Sequence, residues 1–491
     1  MDIEWAKDGR TNELFIVQAR PETIYSSKKN YNVYQEFSLN KTGKLLLSGV
    51  AVGKKIASGR VNVIKDAKKI LDFKKGGILV TEMTDPDWEP IMKIASAIIT
   101  DKGGRTSHAA IVSRELGIPC IVGSEKATRI LRNGMEVTVD CSSGEVGKIY
   151  SGKLPFKVME HKLDKIPQTK TKVMVNIGSP DEAFKNSYLP VAGVGLGRLE
   201  FIIASHIKIH PNALIDYEKL KAKSSKLKAN RKLIAAIDKL TVGYKNKPDF
   251  YVDELAEGIA KIGAAFWPNK VIIRFSDFKT NEYAKLLGGS LYEPHEENPM
   301  IGWRGASRYY DPKFKAAFGL ECKALKKVRE KMGLKNVVPM IPFCRTPEEG
   351  KQCVEAMKAN GLDRAKDKNL KIYVMCEIPS NILLADEFLK IFDGMSIGSN
   401  DLTQLVLGLD RDSGIVTHIA NENNPAVKKM IAEIIAKCAK QKKYIGICGQ
   451  APSDYPEFAD FLIEKGIESM SLNPDTVIKN ILRIAKKEKQ S

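Results

Sequence analysis

IYVMCEIPSNILLADEFLKIFDGMSIGSN, residues 372–400, contains the repeating unit that decides the fold. It opens with a short apolar strand, IYVMCEI (372–378), and closes with a second one, GMSIGSN (394–400). Each strand ends in polar residues, and a helix-like stretch lies between the two. Strands that alternate with helices in this way pair in parallel, because the helix carries the chain back to the edge where the next strand starts.

The same unit recurs eight times over about 310 residues of the C-terminal part of the chain. The other predicted strands are VMVN (173–176), GVGLG (193–197), VIIRF (271–275), NVVPMI (336–341), YIGICG (444–449) and SMSLNP (469–474). Eight units predict a (β/α)₈ TIM barrel over residues 171–488, with insertions after the second and third strands, where the intervals are long. A doubly wound open sheet is the competing architecture.

A compact α/β domain is predicted upstream, at residues 43–151, with helical patterns at 87–94 and 107–116. Its predicted strands are VNVI (61–64), GILVT (77–81), AIIT (97–100), IPCIVG (118–123) and EVTVD (136–140). Polar segments at 26–42 and 152–170 are interpreted as linkers. Residues 1–25 read as two strands joined at Asp8-Gly9, which is too little for a domain and predicts the remnant of a further one.

Composition favours a cytoplasmic enzyme. The 491 residues are 43% hydrophobic, and neither a membrane-spanning run nor an N-terminal signal peptide is visible. Eight cysteines without a CxxC pair argue against a zinc site and a secreted disulfide framework. The net charge of +19 comes from lysines spread along the chain without a nucleic-acid motif, so neither a nucleic-acid nor a membrane partner is expected.

The segment TDKGGRTSHAAIVSRELGIPCIVG (100–123) places a histidine in a glycine turn. Gly103 and Gly104 permit a tight turn, Ser107 suits a helix cap, and His108 falls in the first helical turn. Free amide groups and the helix dipole favour negative charge there, so the imidazole is well placed to carry a phosphoryl group. Nearby support for that group would come from Arg105, Thr106 and Ser107. A capping histidine without chemistry is the alternative.

Arginines follow the predicted barrel strands, where barrel enzymes place their chemistry. Arg198 follows the second strand, Arg274 ends the third, and a later loop adds Arg304 and Arg308. Guanidinium groups bind carboxylate and phosphate through paired hydrogen bonds, so the pattern suits a substrate that carries both. Scattered surface arginines would look the same residue by residue.

Acidic residues and a cysteine end three further strands. Glu377 follows the fifth strand and Asp401 the sixth, and two such carboxylates with substrate oxygens would hold Mg²⁺, although structural ion pairs are the alternative. Cys448 ends the seventh strand, where positive surroundings should make the thiol ionise readily and let it move a proton at carbon. A buried, inert cysteine is equally compatible with that position.

These segments together resemble enzymes that use phosphoenolpyruvate (PEP), a family that includes pyruvate phosphate dikinase, PEP synthase and enzyme I of the sugar phosphotransferase system. The histidine segment carries the resemblance first. VIIRFSDFKTNEY (271–283), NPMIGWRGASRY (298–309) and ICGQAPSDYPEF (447–458) are most similar to the synthases. IEWAKDG (3–9) and IVQARPET (16–23) resemble the end of the synthase ATP-binding domain.

The resemblance implies a swivelling phosphohistidine domain ahead of the barrel. It implies that His108 carries the phosphoryl group and that Cys448 donates or accepts a proton. The implied substrate-binding residues are Arg198, Arg274, Gly398, Ser399, Asn400 and Asp401, with Arg304 and Glu377 beside them. Glu377 and Asp401 are the implied Mg²⁺ ligands.

The implied reaction converts ATP, pyruvate and water into PEP, AMP and phosphate. No glycine-rich nucleotide loop precedes residue 40, so we expect a separately encoded ATP-binding domain, a truncated gene product, or a chain confined to the pyruvate/PEP half-reaction. An enzyme I-type phosphocarrier and a non-catalytic remnant are the alternatives. A homodimer through the barrel would be in keeping with the family.

Overall fold

The computed structural model describes residues 2–9, 11, 13–20, 33–65, 73–84, 88–104, 107–142, 146–162, 166–223, 228–410, 416, 419, 421–449, 451–474 and 476–489. The chain divides into two compact units, Met1–Lys165 and Ile166–Ser491. The finer domain boundaries stay predictions. Within the described ranges, every helix is too short or too polar to cross a membrane.

The first unit contains a closed seven-stranded barrel of mixed direction, whose strands lie side by side in the order 146–151, 45–52, 120–122, 97–100, 78–81, 56–63 and 136–140. Each of the five strands predicted for this domain is confirmed within a few residues at its ends. The strands of the first unit are β1 Asp2–Lys7, β2 Leu14–Arg20, β3 Val33–Leu39, β4 Leu45–Val52, β5 Ile56–Val63, β6 Ile78–Thr81, β7 Ala97–Thr100, β8 Cys120–Val122, β9 Glu136–Asp140, β10 Val146–Ser151 and β11 Phe156–Lys162. Its described helices are α1 Glu89–Met92, α2 His108–Leu116 and α3 Ala127–Ile130.

The two predicted linkers each contain a strand, and these strands pair with each other. β3 runs antiparallel to β11 from Val33 opposite Lys162 to Leu39 opposite Phe156. The backbone bond from Asn40 N to Pro155 O, 3.1 Å long, continues the pairing. The chain therefore enters and leaves the seven-stranded barrel along one two-stranded ribbon, a pairing across more than a hundred residues that no local pattern indicates.

The second unit is a closed barrel of eight parallel strands in sequence order. The last strand pairs with the first, Lys172 opposite Ser469 and Val175 opposite Leu472, which excludes the open doubly wound sheet. All eight predicted strands are confirmed. They are β12 Lys172–Ile177, β13 Gly193–Arg198, β14 Lys270–Arg274, β15 Val337–Ile341, β16 Tyr373–Cys376, β17 Gly394–Ile397, β18 Tyr444–Ile447 and β19 Ser469–Leu472.

Helices of the second unit follow the strands, and the predicted insertions after β13 and β14 are helical. The described helices are α4 Ala183–Asn186, α5 Leu199–Ile202, α6 Pro211–Ile215, α7 Tyr217–Lys223, α8 Lys228–Leu240, α9 Lys247–Ala265, α10 Thr280–Tyr283, α11 Ala306–Tyr309, α12 Lys315–Lys326, α13 Pro347–Ala359, α14 Pro379–Leu383, α15 Ala385–Ile391, α16 Ser399–Leu407, α17 Pro425–Lys440, α18 Ala451–Asp454, α19 Pro456–Glu464 and α20 Val477–Glu488. Short 3₁₀ or π turns occupy Pro180–Glu182, Ile203–Ile207, Gly289–Leu291 and Lys327–Lys331.

The barrel interior is packed with side chains, as its uniformly apolar strands require. Met174, Leu196, Ile272, Met340 and Met375 form one buried cluster with Cys448 and two tyrosines. The tyrosines, Tyr373 and Tyr444, stack with ring centroids 4.6 Å apart. This filling leaves the C-terminal ends of the strands as the open end of the barrel.

Candidate active site

The C-terminal ends of the barrel strands surround a cavity of about 300 Å³. Among its lining residues are eight of those predicted for the site, namely Arg198, Arg274, Arg304, Glu377, Gly398, Asn400, Asp401 and Cys448. Ser399 is buried beside the residues that line the cavity. Its hydroxyl lies so close to Gly449 that a side chain at position 449 would collide with it. The structure thus brings these nine predicted residues to one place.

Two arginines of this cavity are held by one buried carboxylate, Asp277. Arg304 donates from Nε and NH2 to the two Asp277 oxygens at 3.0 and 2.6 Å. Arg274 NH1 lies 3.4 Å from Asp277 Oδ2. Arg304 NH1 also donates to Asp401 Oδ1 at 3.1 Å. The paired bonds fix both guanidinium planes, so they meet a ligand already oriented.

Glu200 holds Arg274 from the other side. Glu200 Oε1 accepts from Arg274 NH2 at 2.8 Å and from the Asp277 backbone N at 2.6 Å. Glu200 Oε2 and Arg274 Nε are buried and have no hydrogen-bond partner among the described residues. Buried polar atoms normally have a hydrogen-bond partner, so these two atoms are the ones with which a polar ligand in the cavity would form hydrogen bonds.

The helix α16 begins at the cavity. The predicted strand GMSIGSN ends earlier than expected, because Ser399 and Asn400 already belong to the first helical turn. Gly398 precedes the helix with φ −94° and ψ 80°. The free N–H groups of a helical first turn favour anions, and here they lie in the same cavity as the arginines.

Two carboxylates, Glu377 and Asp401, face this basic side. Glu377 is buried, and its Oε1 accepts from the Phe343 backbone N at 2.7 Å. Burial, then the negative charges of Asp401 and Asp277, raise the pKa of Glu377 to about 8. Repulsion of this kind is relieved by a proton or a cation between the two acids.

The donor set suits a hard cation that keeps open positions. Within the described ranges, no three His, Cys, Asp or Glu side chains are grouped as metal ligands. Glu377 and Asp401 would therefore supply two oxygens, and ligand or water oxygens the rest, which is how Mg²⁺ is usually bound.

Cys448 lies at the bottom of the cavity, 4% exposed, with its Sγ 3.7 Å from the Ile397 carbonyl oxygen. Burial raises the pKa of the thiol, although a bond to Ser396 and the charges of Arg274 and Arg198 oppose the rise. Burial therefore works against the ready ionisation that was predicted for this thiol. Cys448 belongs to one buried cluster with Leu196 and Met375, which also line the cavity and give it an apolar part that matches a small carbon group.

The glycine turn of the first unit is placed as predicted. Gly103 has φ +111°, a conformation that glycine adopts without strain, and His108 is the first residue of α2. The segment before the turn is anchored, since Ser124 donates to the Thr100 carbonyl from N and Oγ at 3.0 and 2.9 Å. Ser107 precedes the helix, but its buried hydroxyl makes no hydrogen bond with a described residue, so the predicted cap is not formed. Arg105 and Thr106 lie outside the described residues.

Family models match almost the whole chain. The PEP-binding domain of PEP-utilising enzymes matches residues 157–489, and their mobile domain matches residues 73–144. The chain belongs to the PEP-utilising enzymes. The AMP/ATP-binding domain of pyruvate phosphate dikinase matches residues 1–41 of this PEP-utilising enzyme.

Relatives that are similar over the whole chain carry the name phosphoenolpyruvate synthase. This PEP-utilising enzyme is 56% identical to the protein of Synechocystis sp. (strain ATCC 27184 / PCC 6803 / Kazusa), with 100% of the chain and 59% of the relative covered. It is 54% identical to that of Pseudomonas aeruginosa (strain UCBPP-PA14), covering 100% and 61%, and 51% identical to that of Escherichia coli (strain K12), covering 100% and 60%. The chain thus spans about three fifths of the length of these relatives.

Sequence reasoning missed two acids of this PEP-utilising enzyme and misplaced one arginine. Asp277 and Glu200 each stand two or three residues after a predicted arginine at a strand end, a spacing that could have singled them out. Arg308 does not line the cavity; it is fully buried and donates to both Glu293 oxygens. Its role is to hold the core beneath the Arg304 loop, because its guanidinium also bonds the Trp303 carbonyl at 2.8 Å.

Proposed function

We propose that this chain carries the phosphohistidine and the pyruvate/PEP half-reaction of a PEP synthase. The observation that supports this most is the single small cavity that joins two oriented arginines, two repelling carboxylates and a buried thiol. The complete proposed reaction converts ATP, pyruvate and water into PEP, AMP and phosphate. It requires a domain that binds ATP.

The anionic groups of PEP would occupy the basic side of the cavity. Arg274 and Arg304 would bind carboxylate and phosphate oxygens while Asp277 keeps their guanidinium planes fixed. The first turn of α16, from Ser399, would add N–H donors to the same anions. Arg198, also in the lining, would add a third positive charge.

The proposed transfer exchanges one phosphorus bond for another. The bond between phosphorus and the PEP oxygen breaks, a bond between phosphorus and a His108 ring nitrogen forms, and the enolate of pyruvate remains. Cys448 then donates its thiol proton to C3 of the enolate, and pyruvate results. A thiol held protonated by burial suits this donor role, and in the synthetic direction the thiolate takes the proton back from the methyl group.

Mg²⁺ held by Glu377 and Asp401 would supply a positive charge that stabilises the enolate oxygen. The two residues also act without it in the arrangement of the cavity. Asp401 fixes Arg304 through a 3.1 Å bond, and Glu377 bonds the backbone after β15. Both acids therefore shape the basic side that meets the substrate.

The ATP half-reaction would be served by a domain that packs on residues 1–20. The β1–β2 hairpin exposes Trp5, Phe15, Ile16 and Val17, each more than half accessible to solvent. Exposed apolar residues on a two-stranded sheet are typical of a surface that another domain covers. Copurification of the chain with an ATP-binding polypeptide would show that this domain is encoded separately.

The function is tested by incubating the purified chain with Mg²⁺ and ³²P-labelled PEP, beside a His108→Ala control. We expect acid-labile label on the unsubstituted chain alone, with release of one pyruvate per label. A Cys448→Ala chain should bind PEP but release pyruvate far more slowly, because the proton for C3 of the enolate is missing. Absence of label from the unsubstituted chain would contradict the proposed half-reaction.

A further inference from the structure

Ser276 lies between Arg274 and Asp277 in the chain, and its polar groups form hydrogen bonds with buried side chains. Its N–H donates to Glu321 Oε2 at 3.1 Å. Its hydroxyl lies 2.5 Å from Glu321 Oε1 and 2.7 Å from the Tyr283 hydroxyl. These bonds fix the backbone at Ser276, and two residues of the cavity, Arg274 before it and Asp277 after it, lie within two positions in the chain.

Glu321 is a buried acid without a cation. It lies on α12, is 0% exposed, and forms no ion pair among the described residues. Burial raises its pKa to about 7, which the two Ser276 bonds oppose and the charge of Glu200 reinforces. A carboxylate buried without a cation is costly, and an apolar residue would fill the space without that cost. The bonds to Ser276 are what this acid contributes in return.

Every hydrogen of the cluster has an acceptor when Glu321 is ionised. With Glu321 ionised, Ser276 donates from N and Oγ to the carboxylate, and Tyr283 donates to the Ser276 oxygen. A neutral group at position 321 adds a third hydrogen to the two contacts of the Ser276 hydroxyl oxygen, one with the side chain at 321 and one with the Tyr283 hydroxyl. Each contact holds one hydrogen, so one buried hydroxyl hydrogen is left without an acceptor. An unsatisfied buried donor carries a penalty that an intact network avoids.

We propose that Glu321 is a positioning residue for the cavity: through Ser276 it sets the backbone that presents Arg274 and Asp277 to an anionic substrate. The inference rests on the proposed function, since PEP is the anion concerned. Glu321 itself does not line the cavity. Its influence reaches the ligand only through the Ser276 peptide units.

Glu321→Gln tests the proposal, because glutamine keeps the size but brings the extra hydrogens. Its amide would donate to the Ser276 hydroxyl, the Ser276 hydroxyl would donate to Tyr283, and the Tyr283 hydrogen would lose its acceptor. We expect the dissociation constant for PEP, measured by calorimetry with Mg²⁺, to rise about tenfold. Adding Tyr283→Phe removes the oxygen that accepts from the Ser276 hydroxyl and leaves the Ser276 hydrogen unpaired instead, so the double variant should bind PEP no more tightly than Glu321→Gln alone.

A matched control exists in the same core. The Tyr251 hydroxyl is buried without a hydrogen-bond partner, so Tyr251→Phe deletes the same atom without touching the Ser276 network. This variant should leave PEP affinity unchanged. Thermal unfolding followed by circular dichroism verifies that each variant is folded.

A second measurement separates this inference from the proposed function. Amide hydrogen exchange of the peptide spanning residues 271–283 should accelerate in Glu321→Gln and also in the double variant, whether or not PEP binds. Failure of the unsubstituted chain to bind PEP would count against the function, and the exchange data would still decide the positioning role. Unchanged exchange in Glu321→Gln, or a double variant whose exchange returns to that of the unsubstituted chain, would overturn the inference.

Discussion

Replacing Gly398 by alanine should slow the proposed half-reaction about 100-fold while the barrel stays folded. The backbone at Gly398, with φ −94° and ψ 80°, accepts an alanine without strain. The difficulty is space. An added Cβ would lie 2.6 Å from Glu377 Oε2, whereas ordinary contact begins at 3.4 Å, so the carboxylate must retreat by about 0.8 Å.

Glu377 has little freedom to make that retreat. It is 1% exposed, and its other oxygen is tied to the Phe343 backbone N at 2.7 Å. The Met375 methyl, 2.8 Å from the added Cβ, lies at the end of a flexible side chain and gives way more easily. A displacement approaching 1 Å in a group that orients substrate typically costs about two orders of magnitude in rate.

The assay is the exchange of ¹⁴C between pyruvate and PEP, with Mg²⁺ and the purified chain. Gly178→Ala is the matched control, because its added Cβ would meet the Phe201 ring at an ordinary 3.7 Å and should leave the rate unchanged. An exchange rate for Gly398→Ala within about threefold of the control, at an unchanged melting temperature, would refute the reasoning. The position of Glu377 would then not limit the reaction.

Three further outcomes are expected. Cys448→Ala should lower the ¹⁴C exchange about 10³-fold while PEP affinity measured by calorimetry changes little, because only the proton transfer is lost. Burial lowers the pKa of His210, so the native state binds fewer protons than the unfolded state below about pH 6.5. The free energy of unfolding should therefore fall by up to about 1.4 kcal/mol for each pH unit below that value. Urea unfolding at pH 7.5 and 5.5 should show this slope, and His210→Gln should reduce it. Asp277→Asn should lower the free energy of unfolding by about 3 kcal/mol, since it breaks the buried pair with Arg304, whereas Asp460→Asn in an exposed pair should cost less than about 1 kcal/mol in the same denaturant titration.

The barrel could be predicted because its information is local. Each strand is a short apolar run that ends in polar residues, and parallel strands bring those ends to one side whatever the loops do. Arg274, Glu377 and Cys448 were therefore predicted to lie together before any distance was known. The glycine turn before His108 is equally local, since two adjacent glycines and the start of a helical pattern are enough to indicate it.

What escaped prediction depends on residues far apart in the chain. The raised pKa of Cys448 follows from its burial, which outweighs the charges of the nearby arginines. Arg304 and Arg308 stand four residues apart, before and within α11, yet the first reaches the cavity and the second bonds Glu293 in the core. The bond from Arg274 to Glu200 likewise depends on the pairing of β13 with β14, which joins residues more than seventy positions apart.

The ribbon of β3 and β11 holds the two ends of the intervening chain together. Because Leu39 and Phe156 are paired neighbours, everything from residue 40 to residue 155 begins and ends at one point. A short turn joining the two strands would close the gap and leave the rest of the polypeptide continuous. The module that carries His108 can thus be removed, exchanged for that of a relative, or grafted elsewhere as one piece, with the paired strands as its socket.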